Sequence, residues 1–364
     1  MRLLLSFLLA SGLLVSLLSV RPAAPAQGSF EEKRAIFDEG IGWTTKEGAD
    51  RTLKRIRDAG FNVYVPCVWH GRGTSWPSKL APWDPYLKER PKAGDDPLHY
   101  LIGKAHEMGI EVHPWFTVAL RQSDLFPEFA ESGTPDEAFD VHSERFRRWI
   151  AAVIAEVVAR YAVDGVNLDY VRAKGLCVSE SCKRDYARRY ARNFDADRAV
   201  FFLKPGLVPT MVEWQEAAVH ALVKTIAETV RGIKPGILIS ADVAPDVLSL
   251  DQGQNSIVWA NQGLVDVLFR MDYDRAIAVK RTDSLRGRLN NPEALTLLVS
   301  NTERVNRRIV SRDGPWLAGT VTAIESRWPR TGIGIYLFSM LSDEQIGALK
   351  AGPFRVQAPG RGRR

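Results

Sequence analysis

Carboxylates at the ends of hydrophobic runs are the chemically suggestive feature of this chain. Asp169 closes GVNLD within the stretch YAVDGVNLDYVR (Tyr161 to Arg172), Asp242 follows LISA, and Asp272 stands in FRMDYD. In an extended segment alternate residues share a face, so Asn167 and Asp169 point one way and Val166 and Leu168 the other. Glycoside hydrolysis needs two carboxyl groups flanking the scissile bond, about 5 Å apart for retention and about 6.5–9.5 Å for inversion. Asp169 is the leading member of such a pair. Asp272 and Asp242 compete as its partner, and Asp242 in ADVAP reads equally well as a structural strand end. Asp164, just before Gly165, serves the turn into the run.

The surrounding residue types suit a sugar. Five of the ten tryptophans, Trp43, Trp69, Trp76, Trp83 and Trp115, fall between residues 43 and 115, and indole faces stack on the apolar faces of pyranose rings. Some of them are expected simply to anchor loops; Trp69, Trp76 and Trp115 are the sugar-binding candidates. Asn167, Tyr170 and Tyr273 flank the candidate acids, and His70 and His113 are placed to orient a carboxylate or bond a hydroxyl. Arg72 either binds an acidic sugar or pairs with a loop carboxylate. His99 and His106 belong to a helix and are expected at the surface. No H-E-x-x-H, nucleophile elbow or phosphate-binding glycine loop occurs, so metalloprotease, serine-hydrolase and nucleotide-binding chemistries find no motif.

Eight short β-type runs must position these groups: Arg34–Asp38, Asn62–Cys67, Glu111–Phe116, Gly165–Tyr170, Gly236–Asp242, Val265–Tyr273, Leu295–Ser300 and Gly332–Phe338. Amphipathic helical stretches separate them. The clearest carries Phe146, Trp149, Ile150, Val153, Ile154, Val157, Val158 and Tyr161 at helical spacing, and another runs from Pro97 to Met108 with Asp96 as N-cap and Gly109 as its stop. Regular strand–helix alternation with long loops after the strands predicts a single (β/α)8 TIM barrel, class α/β, with functional residues at strand C-terminal ends, Asp38 and Glu39 of the first run among them. The longest interruption, residues 172–208, follows the fourth run and reads as an ordered insertion on the active face. No linker divides residues 30–355, and a two-domain α/β chain is the competing organisation.

With 45% hydrophobic and 25% charged residues, the 364-residue chain buries a large core and is not disordered. Residues 1–26 have a signal-peptide pattern: Arg2, an apolar run from Leu3 to Val20, and Ala24-Pro25-Ala26 before Gln27. An uncleaved anchor helix is the alternative; cleavage near Ala26-Gln27 predicts a secreted, periplasmic or envelope protein with no stable membrane insertion. Of the six excess positive charges, Arg2 and Arg21 supply two and Arg361, Arg363 and Arg364 three, so the body carries one. That near-neutral body gives no nucleic-acid footprint. Residues 27–355 are assigned to the barrel and 356–364 to a basic disordered tail. Cys177 and Cys182 in CVSESC are close enough to form a disulfide in an exported chain, a zinc site there is the weaker reading, and Cys67 is expected as a buried thiol.

The stretches RAIFDEGIGWTT, GFNVYVPCVWHGRGTSWPSKLAPWD, DPLHYLIGKAHEMGIEVHPWFTV, VDGVNLDYVR and VDVLFRMDYD, within residues 34–274, resemble a bacterial glycosyl-hydrolase-like TIM-barrel family distantly similar to α-galactosidase and poly-galactosaminidase barrels. The resemblance implies a barrel acting on a polysaccharide, with Asp169 as the strand-four acid and the acids of strands four and six, Asp169 and Asp272, as nucleophile and acid/base. The expected function is therefore exported, retaining glycoside hydrolysis of a polysaccharide or oligosaccharide by a carboxylate pair, with no cofactor and no metal. A non-catalytic glycan-binding barrel of the cell envelope is the alternative, to be favoured if one strand-end carboxylate stands without a partner within about 10 Å. A metal-dependent hydrolase would require His113 and Asp169 to converge.

Overall fold

The computed structural model describes residues 30–87, 95–122, 124–244 and 252–360. The expected signal segment, residues 1–26, and the tail arginines at 361, 363 and 364 lie outside the described residues. Eight parallel strands close into a barrel. In chain order they are strand one (Arg34–Asp38), two (Val63–Trp69), three (Glu111–Val112 and Trp115–Thr117), four (Gly165–Asp169), five (Leu238–Val243), six (Val267–Asp272), seven (Leu295–Ser300) and eight (Ile333–Tyr336). Each pairs with its sequence neighbours, and strand one pairs with both strand two and strand eight, which closes the ring. Helices follow the strands and cover the outside. The barrel is thus as expected from the alternation, and the two-domain organisation is not what forms.

Strand three is split because Pro114 lacks an N–H for the ladder; its carbonyl still accepts from Asn167 N at 2.9 Å. An antiparallel hairpin, Thr302–Val305 with Arg308–Ser311, follows strand seven and was not expected. The segment after strand four is an ordered insertion, as anticipated, of helices Glu180–Tyr190 and Phe194–Leu203 leading into the long helix Pro209–Ile233. It has its own small core of Tyr186, Phe194, Met211 and Trp214, stapled by the Cys177–Cys182 disulfide. Cys67 is the buried free thiol. Residues 356–360 do not behave as the expected tail: Val356 O accepts from Arg34, Pro359 O accepts from Asn62, and Ala358 is buried. No helix among the described residues is long and apolar enough to cross a membrane.

Strand alternation sorts side chains into two separate cores. Ile36, Val166, Leu168, Ile239, Ala241, Leu268 and Val299 face the helices. Phe37, Val65, Cys67, Trp115, Val267, Phe269 and Leu298 fill the interior, where the Phe37 ring meets Trp115 and Phe269 edge to face. Large rings fit because glycines face them: a Cβ on Gly165 would stand 2.8 Å from the His113 ring, and one on Gly334 would meet Leu298 and Phe269 at about 3 Å. Since such overpacking costs about 1–3 kcal/mol, Gly165→Ala is expected to destabilise the fold by that amount in chemical denaturation. A variant as stable as the parent would mean that His113 does not occupy this space.

Candidate active site

The barrel mouth at the C-terminal strand ends holds a cleft of about 250 Å³. Asp169 and Asp242 both line it. They are inward-facing residues of neighbouring strands, and the register Asn167↔Ser240, Leu168↔Ala241 brings them level. Adjacent strands lie about 4.8 Å apart, so the two carboxyl groups share one small volume. Both are almost completely buried.

The two acids have different surroundings. Asp169 Oδ1 accepts the backbone N–H of Tyr170 at 2.6 Å. Tyr170 reaches this position by adopting left-handed backbone geometry, φ 50°, a strained state for an aromatic residue that ends the strand and turns its N–H back onto the acid. Burial raises the Asp169 carboxyl, against the opposing pull of the Arg172 guanidinium and that N–H. Asp242 is raised as well: burial and then the Asp169 charge disfavour its ionised form, with the Asn167 hydrogen bond opposing. Asn167, on the inward face two residues below Asp169, donates to Asp242 Oδ1 at 3.0 Å and to Ser240 Oγ at 3.1 Å. Two titrating groups whose environments separate their proton affinities are the usual basis of an acid and nucleophile division.

Asp272 does not join them. Met271 and Tyr273 of the same stretch line the cleft, so Asp272, one residue out of phase, faces the helices. There it accepts from Arg270 Nη1 at 2.6 Å in a buried ion pair, and Arg270 also donates to Thr282 Oγ1 in the helix Val279–Arg286. The expectation of an Asp169 and Asp272 pair is corrected by this parity. Asp38 is likewise outward, bonded by Tyr64 OH at 2.7 Å, while Glu39 lines the cleft.

The aromatic surface also differs from expectation. Trp69 is fully buried in the helix-facing core against Trp149, and Trp76 is fully buried with its indole N–H on Glu156. Neither lines the cleft; Trp43 is buried too. Trp115 does line it, joined by Tyr273 and Tyr336, whose rings stack at 5.5 Å between centroids with 17° between planes. Tyr336 OH donates to Glu39 Oε2 at 2.8 Å. Tyr170 lines the facing side, with Arg172 over its ring at 4.5 Å. Tyr336 and Arg172 escaped the sequence reading, although the alternation Gly334, Tyr336 along strand eight carries the signal for the first.

His70 lines the cleft, its Nε2 donating to the Glu39 carbonyl at 2.8 Å and its Nδ1 lying 3.5 Å from Asp84. Arg72 is engaged behind it by Asp84 and Gln122. His113 sits inside the barrel a layer below Trp115, its ring on Glu111 at 3.2 Å, so it does not converge with Asp169. His106 is half-buried on Asp164 rather than free at the surface. Outside the cleft, Asp140 gathers with Cys177 and Cys182, whose sulfurs are joined to each other.

A parallel eight-stranded barrel with an acid-lined, aromatic-walled mouth defines the class of glycoside hydrolase-like (β/α)8 barrels. The chain belongs to the glycosyl hydrolase-like 10 family, whose model matches residues 37–293. It is 25% identical over 212 residues to glycosyl hydrolase DigH of Escherichia coli K12, covering 51% of this chain and 44% of that protein. With glycosyl hydrolase YngK of Bacillus subtilis it shares 24% identity over 251 residues, 60% of this chain and 46% of YngK. The chain thus spans less than half the length of these curated relatives. Among solved structures, the glycoside hydrolase domain of PgaB (BpsB) from Bordetella bronchiseptica superposes with a TM-score of 0.63 at 13% identity, over 87% of this chain and 98% of that domain. The catalytic domain of β-amylase from Paenibacillus polymyxa does so at 0.62 and 11%, over 90% and 99%. At these identities the superpositions establish the fold.

The raised Asp242 carboxyl has a consequence for stability. Where an unfolded aspartate is still protonated, below about pH 3.9, folded and unfolded states hold the same proton. As pH rises from there toward the raised folded value, the unfolded chain releases its proton first and the fold loses stability. Asp242→Asn is therefore expected to melt higher than the parent at about pH 8, with the advantage shrinking toward about pH 4. Melting curves at the two pH values check this; an advantage independent of pH contradicts it.

Proposed function

We propose that the chain is an exported glycoside hydrolase that cleaves a polysaccharide with retention, using Asp169 as nucleophile and Asp242 as acid/base. The observation that carries this reading is the pair itself: two buried carboxyl groups on neighbouring strands of one cleft, Asp169 beside the Tyr170 N–H and the Arg172 charge, Asp242 beside the Asn167 amide and the Asp169 charge. Spacing set by adjacent strands suits the short separation of retaining enzymes better than the wider gap that admits a water. Asp169, kept toward its ionised form by Arg172 and the Tyr170 N–H, attacks the anomeric carbon. Asp242 gives its proton to the glycosidic oxygen as that bond breaks and the leaving sugar departs as an alcohol. Asp242, now ionised, takes a proton from water; the resulting hydroxide equivalent displaces Asp169 from the anomeric carbon and restores both groups.

Trp115, Tyr273 and Tyr336 provide the stacking wall, and His70 and Glu39 face the same space as hydrogen-bonding partners for hydroxyls. Asn167 positions Asp242 from below. Export is supported by the signal-like pattern of residues 1–26 and by a disulfide, which suits an oxidising compartment. The relatives' names support carbohydrate as the substrate class. A purely glycan-binding barrel was to be favoured by a lone acid, and the cleft has three, Asp169, Asp242 and Glu39.

Reducing-end release from envelope and biofilm polysaccharides by the chain lacking residues 1–26 tests the reading. Asp242→Asn should lower kcat/KM by about 10²–10⁴-fold, and Asp169→Asn by at least as much. Asp272→Asn should instead cost about 3–5 kcal/mol of stability by stranding Arg270, leaving kcat/KM of the folded enzyme near the parent value. Full activity in Asp169→Asn, or a collapse of kcat/KM in well-folded Asp272→Asn, would overturn the assignment.

A further inference from the structure

We infer that the glycan bears carboxylate groups, read by Arg172 inside the cleft and by the arginines of the Thr302–Ser311 hairpin outside it. This deepens the glycoside hydrolase reading and rests on it. Arg172 lines the cleft three residues beyond Asp169. Its guanidinium carbon lies 4.5 Å from the Tyr170 ring centroid, and its Nη1 is buried without a hydrogen-bond partner. Among the described residues Arg172 forms no ion pair at contact distance; Asp169 and Asp242 feel its charge from across the cleft, and one of its donors faces that space unused. Leaving a buried donor unsatisfied is costly, and a neutral acceptor would satisfy the hydrogen bond but not the charge. A planar carboxylate satisfies both, because its oxygens match the guanidinium fork. None of the cleft's own acids hydrogen-bonds this donor: Asp169 accepts from Tyr170 N, Asp242 from Asn167, and Glu39 from Tyr336 OH.

The hairpin is an independent observation. It starts immediately after strand seven, and at its base Arg312 donates to the carbonyls of Tyr273 and Asp274, fixing it beside the cleft wall. Its turn residues Asn306 and Arg307 both have positive φ, 48° and 65°. Glycine is the usual second residue of such a turn, so an arginine there keeps a positive charge at the tip against backbone preference. Glu303 is taken by Arg275, whereas Arg304, Arg307 and Arg308 are exposed and unpaired among the described residues. A polymer leaving the mouth over strands six to eight meets this basic arm, and attraction to it concentrates and orients a polyanion.

The test uses the chain lacking residues 1–26, titrated with matched probes: glucuronate against glucose, galacturonate against galactose, and polygalacturonate against its methyl ester. In at least one monosaccharide pair the acid should bind about tenfold or more tightly than its neutral partner. Arg172→Gln should abolish that preference and Arg172→Lys should keep part of it. Exchanging Arg304, Arg307 and Arg308 for Gln together should leave the monosaccharide preference intact but weaken polymer binding and flatten its salt dependence. Equal binding in every pair, or a preference that survives in folded Arg172→Gln, overturns the proposal. Asp169→Asn should retain the preference. Hydrolysis that survives in that variant would count against the catalytic assignment alone, and acid-blind binding by an active enzyme against this proposal alone.

Discussion

Two carboxyl groups held side by side in a buried mouth cannot both ionise cheaply, and much of this structure is arranged around that constraint. Asp169 is given an N–H and a nearby guanidinium, which favour its charge. Asp242 receives a single amide donor, and burial and the field of its neighbour together raise its proton affinity. The asymmetry is local in origin. It follows from the left-handed turn at Tyr170 on one strand and from the Asn167 amide reaching across from that strand to the next. The two groups thereby stand in unequal surroundings, which is the asymmetry the proposed division into nucleophile and acid/base rests on.

The barrel supplies the arrangement through alternation and size. Inward positions carry phenylalanine, tryptophan and leucine at mid-height, and this packed layer forms an apolar floor beneath the acids. Low dielectric above that floor is what raises both carboxyl groups. The glycines at 165 and 334 make room for His113 and Phe269, so the floor is filled without distorting the strands that carry Asp169 and Tyr336. Stability and chemistry are therefore opposed at Asp242 and aligned at Gly165.

Much of the architecture was legible because a parallel barrel writes its strands as hydrophobic runs and its helices as amphipathic ones. Strands one and seven match their expected bounds, Arg34–Asp38 and Leu295–Ser300, and the insertion and disulfide follow from residue types alone. The split at Pro114 and the hairpin after strand seven were less visible, the latter because its two faces are both exposed. Within the site, Asp169 and Trp115 could be placed by alternation from flanking apolar residues. Asp272 was misplaced because strand six is buried on both faces, so Phe269 and Leu268 give no contrast to show which way an acid points. The clue was Arg270: a charged residue two positions away shares the face of Asp272 and neutralises it. Trp69, the last residue of strand two, and Trp76 misled likewise, since a tryptophan near the mouth anchors the helix layer as readily as it forms a sugar platform. Arg172 lies past the strand end, where alternation no longer applies.

The constraint can be measured without knowing the sugar, by following the side-chain carboxyl carbons of ¹³C-labelled aspartate through a pH titration. Asp169 and Asp242 are predicted to titrate as a coupled pair, both above the ordinary aspartate value of about 3.9, with Asp242 the last to lose its proton and its midpoint falling in Asp169→Asn. Independent titration of both groups near that ordinary value would contradict the account.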